Sequence, residues 1–346
     1  MSELNEDVLY LIFKQFDDKN TLFSYVIISH LSNVSRNKIE EHKLLTTSYQ
    51  SPLFNYISFC RHLNLNEIQK LVSRFYRKSL IKTLNKMLSL FINENMKFTH
   101  LYIHQKFDKI HFIDGAESCF SGVEFLSCST KISDNILSNL VKTCKSIKEL
   151  ELTIRAKHNN YGIVTLIEAQ KKLFNVSITS LDSNYSFYST IKNSLVRHAN
   201  TIRYFKLTKQ PTTNILSSFY YSDSLIPAQA LTDLIENTNG SLFKIKIEHS
   251  CKNEVENKRI IQAIYRNCPN LKYLKLLVRN SNIIEFKTLL VNCQYLDGLF
   301  ILTDYDDQFN WDRLFKILTE SSSTRKTSHE PCHYKSIVQE ISTLNS

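Results

Sequence analysis

Apolar residues recur along this chain in a fixed cadence. Residues 144–154 (CKSIKELELTI), 268–278 (CPNLKYLKLLV) and 293–303 (CQYLDGLFILT) each read cysteine, then apolar side chains three, six and eight positions later. The same offsets return from Asn95 (Phe98, Leu101, Ile103), Phe120 (Val123, Leu126, Cys128), Gln170 (Leu173, Val176, Ile178), Ala199 (Ile202, Phe205, Leu207) and Asn239 (Leu242, Ile245, Ile247). Successive anchors lie 25, 24, 26, 29, 40, 29 and 25 residues apart. Three apolar offsets alone are weak evidence in a chain that is 42% hydrophobic. Amphipathic helical patterns before most anchors strengthen the reading: Ile136, Leu137, Leu140 and Val141 before Cys144; Ile260, Ile261 and Ile264 before Cys268; Ile284, Leu289 and Leu290 before Cys293. Helix, turn and short strand at a near-constant period predict a leucine-rich-repeat solenoid of about eight units over 95–320, with one insertion before Asn239.

The physics of such a stack explains its residues. A single strand and helix cannot bury their apolar faces alone, so neighbouring units must enclose one continuous core. In each strand the apolar positions point inward and the alternate ones lie on an open, concave face. That alternation places Tyr102, His104, Ser127, Ser129, Glu151, Thr153, Ser177, Thr179, Lys206, Thr208, Lys246, Glu248, Lys275 and Phe300 on the open face. Lys206, Lys246 and Lys275 fall at equivalent places in consecutive units, flanked by Tyr204 and Tyr273. With Glu151, these are the candidate substrate-binding residues. Strands about 4.8 Å apart would turn the lysines into a ladder able to hold a row of carboxylates or phosphates.

The ends of the chain read differently. Residues 52–94 carry helical spacing, with an apolar segment at Leu53, Phe54, Ile57, Phe59 and Leu63, then apolar periodicity over 65–75 and 80–92. Residues 33–51 are polar and linker-like. A last helix over 311–318 should close the stack, because 321–331 (SSSTRKTSHEP) is a polar break before a tail ending at 346. Residues 210–226, rich in aromatic and small polar side chains, form the insertion, which can serve recognition or fold back over the stack.

Composition narrows the function. Only 5 glycines and 5 prolines occur in 346 residues, and no GxxxxGK[ST], GxGxxG, GxSxG or HExxH motif is found. Cys60 with His62 and Cys332 with His333 are the nearest metal-ligand pairs, but neither has a second CxxC or HxxxH partner. The expectation is a non-catalytic protein with no cofactor and no metal. Eight cysteines without a secretory leader read as reduced, packing thiols, which suits the cytoplasm or nucleus. No apolar run suggests a membrane span. A net charge of +10 points to an acidic protein partner or, less favoured, nucleic acid.

The cysteine-led stretches LVKTCKSIKELEL and IYRNCPNLKYLKL resemble the cysteine-containing, ribonuclease-inhibitor-like leucine-rich repeats of F-box proteins. The N-terminus is similar to a degenerate F-box: LNEDVLYLIFKQF places Leu4, Val8, Leu9, Ile12, Phe13 and Phe16 on one side of a helix, and DDKNTL resembles the following loop. Asn5 stands where the family has proline, and the chain continues YVIISHLSNVSR in place of a valine-cysteine-x-x-tryptophan stretch. The resemblance implies F-box-like helices over 1–32, a linker and helical bridge over 33–94, the repeats over 95–320 and a polar tail over 321–346. It further implies that Leu4, Val8, Leu9, Ile12, Phe13 and Phe16 dock on a Skp1-like adaptor of a cullin-containing SCF ubiquitin ligase, while the repeats hold an acidic or phosphorylated protein substrate. The alternatives are a stand-alone repeat scaffold without ligase recruitment and a basic nucleic-acid-binding solenoid.

Overall fold

A computed structural model describes residues 55–75, 80–104, 114–155, 158–180, 185–209, 228–248, 254–303 and 309–322. The six F-box positions from Leu4 to Phe16, the 33–51 interval, the 210–226 insertion, Cys332 and His333 lie outside them. The described residues fall into two compact units. The first comprises those up to residue 103 together with 114–123; the second comprises His104 and those from Glu124 onward.

In the first unit, strand β1 (His62–Asn64) leads directly into helix α1 (Leu65–Phe75), followed by α2 (Leu80–Phe91), β2 (His100–Ile103) and the short α3 (Ala116–Phe120). Asn64 starts α1: its Oδ1 accepts hydrogen bonds from the backbone N–H of Asn66 at 3.1 Å and Glu67 at 3.3 Å, satisfying donors that the first turn leaves free. β1 pairs with β2 in parallel, Leu63 opposite Leu101. Leu63, Leu65, Ile68, Met87, Phe98 and Leu101 are all buried. The segment read as wholly helical from its apolar spacing thus contains a strand, because three residues are too few to show a period of two. Gly115, with φ of 84°, has its Cα so close to Asn93 that an added Cβ would sit 2.6 Å from that residue's carbonyl carbon. Only glycine fits that turn.

The second unit holds seven parallel strands in chain order: β3 (Phe125–Ser129), β4 (Glu149–Ile154), β5 (Asn175–Ser180), β6 (Tyr204–Lys209), β7 (Lys244–Glu248), β8 (Tyr273–Leu277) and β9 (Gly298–Leu302). Between and after them run α4 (Asp134–Thr143), α5 (Gly162–Glu168), α6 (Tyr185–Val196), α7 (Ala228–Glu236), α8 (Glu254–Asn267), α9 (Ile283–Asn292) and α10 (Trp311–Ser322). Each helix packs on the next. Among the described residues a single helical layer therefore covers one face of the sheet and none covers the other. This is the α/β stack with a parallel sheet that the repeat period predicts.

The repeat offsets are the core. Register carries one buried row from Leu126 through Leu150, Val176, Phe205, Ile245 and Leu274 to Leu299. A second inward row, with Cys128, Leu152, Ile178, Leu207 and Ile247, lies two residues further along. Each such side chain contributes roughly 1.5–3 kcal/mol when fully buried. The helical faces agree for Ile136, Leu137, Leu140, Ile260, Ile261, Ile264, Leu289 and Leu290, whereas Val141 is half-buried and Ile284 is 63% exposed. Ile284 sits in the first turn of α9 beside the inward-facing Ile283 and Phe286, so the helix has already rotated it to solvent.

The turn from helix into strand has one buried slot. Cys144, Cys268 and Cys293 fill it in their repeats, and each backbone N–H closes on the helix carbonyl four residues earlier. Gln170 fills it in the β5 repeat: its Nε2 donates to the carbonyls of Cys144 and Leu166, and its Oε1 accepts from the N–H of Ile147. In the β6 and β7 repeats the buried polar residues at the slot are His198 and Thr238, one position before the anchors Ala199 and Asn239. Those turns hold one extra residue before the strand. At β7 it is absorbed by left-handed Asn239 (φ 48°) and Gly240 (φ 78°). All six described cysteines are free thiols. Burial pushes Cys128 and Cys268 up to about 12 and Cys144 up to about 11.

Candidate interaction surface on the open sheet face

Alternation along each strand turns every second side chain away from the helices. Register then aligns these side chains into rows. One row reads Ser127, Glu151, Ser177, Lys206, Lys246, Lys275 and Phe300 from β3 to β9. The three lysines are thus strand neighbours, and Glu151 belongs to the same row two strands before Lys206. The outward row two residues nearer the strand starts carries Tyr204, Lys244, Tyr273 and Gly298.

The lysines do not form an open ladder. Glu248, two residues after Lys246 on β7, reaches both flanking strands: its Oε1 lies 3.1 Å from Lys275 Nζ and its Oε2 3.7 Å from Lys206 Nζ. Thr208 Oγ1 donates to the same carboxylate at 3.1 Å. Burial alone would raise the Glu248 carboxyl, but the Lys275 hydrogen bond and the positive charge of Lys206 and Lys275 outweigh it and hold the group below the usual range. Two of the three predicted cations are therefore engaged internally.

Lys246 stands apart. Among the described residues it has no carboxylate within ion-pair distance. Burial depresses its ammonium first, Lys244, Lys206 and Lys275 push in the same direction, and Glu248 opposes them only in part. Lys244, which the offset pattern did not single out, lies between two rings: its Nζ is 5.1 Å from the Tyr204 centroid and 5.4 Å from that of Tyr273. Burial, then Glu248 and Glu151, raises the Tyr204 hydroxyl above its ordinary value. Tyr273 lies against Gly298, where an added Cβ would meet its Cδ1 at 2.5 Å. The Lys-x-Lys-x-Glu spacing of β7 was the available signal for Lys244, since period two puts it on one face with Lys246 and Glu248.

At the β3 end the face is closed. Ser127 and Ser129, predicted to be open, are 4% and 0% exposed. His104 covers them: its Nε2 lies 3.2 Å from Ser127 Oγ, and Ser129 Oγ donates to its carbonyl at 2.7 Å. Burial holds the His104 imidazole below its ordinary pKa, with Glu151 opposing and Arg155 reinforcing the shift. In the first unit, His62 does not turn to Cys60 but stacks on His100, ring centroids 3.7 Å apart. Among the described residues no three His, Cys, Asp or Glu side chains converge to hold a metal ion. No described helix is long and apolar enough to cross a membrane.

No family model matches the chain, and no curated protein matches it.

Proposed function

We propose that the second unit is a leucine-rich-repeat solenoid that captures an acidic or phosphorylated segment of a partner protein on its open sheet face. The observation that carries this is the aligned outer row through Lys206, Lys246 and Lys275, with Tyr204, Lys244 and Tyr273 beside it. Among the described residues the strands of β5 to β9 are covered by helices on one face only, which offers a wide, rigid platform, and exposed Tyr273 with half-buried Tyr204 adds amphipathic contact area. Removing positive charge at Lys246 and reversing it at Lys206 and Lys275 should abolish partner capture by the full chain; unchanged capture overturns this reading.

The resemblance of residues 4–16 to an F-box supports a fuller role, as the substrate-recognition adaptor of an SCF-type ubiquitin ligase. In that role Leu4, Val8, Leu9, Ile12, Phe13 and Phe16 dock on a Skp1-like adaptor, and the chain performs no chemistry of its own. A stand-alone scaffold is the second reading, favoured because the only tryptophan is Trp311 and no valine-cysteine-x-x-tryptophan stretch follows Phe16. Affinity purification of the full chain separates them. Co-elution of Skp1 and cullin, lost on Leu9→Asp, supports the adaptor role, and a partner without either supports the scaffold.

A further inference from the structure

The internal use of Glu248 changes what the open face can bind. Lys206 and Lys275 lean toward that carboxylate, at 3.7 and 3.1 Å, so a partner approaching the row does not meet three equal cations. It meets Lys246, flanked on its own strand by Lys244 and across the sheet by the two engaged lysines. Four ammonium groups face one carboxylate here, leaving an excess of three positive charges within about two strand spacings, roughly 10 Å.

The chemistry of this cluster selects among anions. All four cations are lysines, compact point charges without the planar fork that grips a carboxylate in two parallel hydrogen bonds. A single carboxylate would offset one charge of the three, whereas a phosphate dianion offsets two and offers several acceptor oxygens. The cluster is also bounded. Glu149 and Glu151 project from β4 and are exposed, so a polyanion running across the sheet would meet like charge within two strands of Lys206. That disfavours a nucleic-acid backbone and favours one isolated phosphate. We infer that Lys244 and Lys246 form the receiving site for a single phosphorylated side chain of a partner protein, with Glu248 confining the free positive charge to the centre of the row. This rests on the reading of the open face as a binding surface and narrows its ligand from acidic segments in general to one phosphate group.

The test uses the full chain labelled with ¹³C at lysine Cε and titrated at constant ionic strength with inorganic phosphate, acetate and an oligouridine. Phosphate should shift the Lys244 and Lys246 signals saturably. Lys246→Met should weaken that response about tenfold or more, the scale of one lost charge-assisted hydrogen bond, without changing the circular dichroism. Lys244→Gln is the second variant and should weaken it similarly. Equal responses to acetate overturn the phosphate assignment while leaving an acidic partner in place. An oligouridine response that Lys246→Met removes, with none to phosphate, overturns it in favour of nucleic acid. No response to any anion overturns the site, and partner capture by the unmodified chain then reports separately on the binding-surface reading.

Discussion

Glu248 Oε1 lies 3.1 Å from Lys275 Nζ, one strand away on the open face, and the same carboxylate reaches Lys206 on the other side. Lys275 is only 14% exposed and Glu248 25%, so this bridge is screened less than an ordinary surface pair. Glu248→Gln should lower stability by about 1 kcal/mol, because it leaves four lysines facing one another. The carboxyl is depressed in the folded state, so its contribution is present above its ordinary value of 4.5 and is lost as pH falls through the lower folded value. Thermal melts from pH 7 to pH 3 should show a steeper acid loss in the natural chain than in Glu248→Gln. Parallel curves would contradict this.

Gly298→Ala places a Cβ 2.5 Å from Tyr273 Cδ1, and the ring must move off the Lys244 ammonium. A cost of about 1–2 kcal/mol in urea unfolding is expected from overpacking and the lost cation–aromatic contact. Combined with Tyr273→Ala, the second change should cost much less than it does alone, since the two residues share one contact. Simple additivity would show that the ring does not rest there.

The stacked rings of His62 and His100 should make the pairing of β1 with β2 sensitive to mild acid. Partial desolvation, then the neighbouring imidazole, holds exposed His62 below its ordinary 6.5. A histidine depressed in the folded state favours unfolding once the pH drops below the unfolded value, because the unfolded chain then binds the extra proton. Protection of the β1 and β2 amides from hydrogen exchange should therefore fall as pH decreases through about 6.5 toward the lower folded value, after correction for intrinsic exchange. His62→Phe should remove that dependence and keep a stacked ring.

Burial protects the thiols of the slot and of strand β3. Cys128, Cys144 and Cys268 combine near-zero exposure with values pushed to about 11–12, so little thiolate exists at neutral pH. Peptide mapping after brief treatment with iodoacetamide should find half-buried Cys60 modified well before these three. Labelling of Cys268 at the rate of Cys60 would mean that the slot opens.

Much of the second unit was legible because its burial follows a short, repeated spacing. Leu150, Val176, Phe205, Ile245 and Leu274 occupy the same offset from their anchors and the same row in the sheet. The slot residues at His198 and Thr238 escaped by one position, because offsets counted back from the strand cannot reveal an extra turn residue. β1 escaped because three residues carry no period. The lysine row was legible from equivalent positions, but the engagement of Lys206 and Lys275 by Glu248 was not. That contact runs diagonally across three strands and depends on side-chain reach. Lys244 and Gly298 matter through Tyr273, a pairing between repeats that no single repeat displays.

The strands carrying Glu151, Lys206, Lys246, Lys275 and Phe300 follow one another in chain order across the sheet and hold these residues in one row. Genetically encoded spin labels, one fixed at Glu151 and the other moved in turn to Lys206, Lys246, Lys275 and Phe300, measure this directly by pulsed dipolar spectroscopy. The distances should rise monotonically, by steps approaching about 4.8 Å, from the first position to the last. A label at Lys275 nearer to Glu151 than the one at Lys206 would contradict the stack and, with it, the binding row.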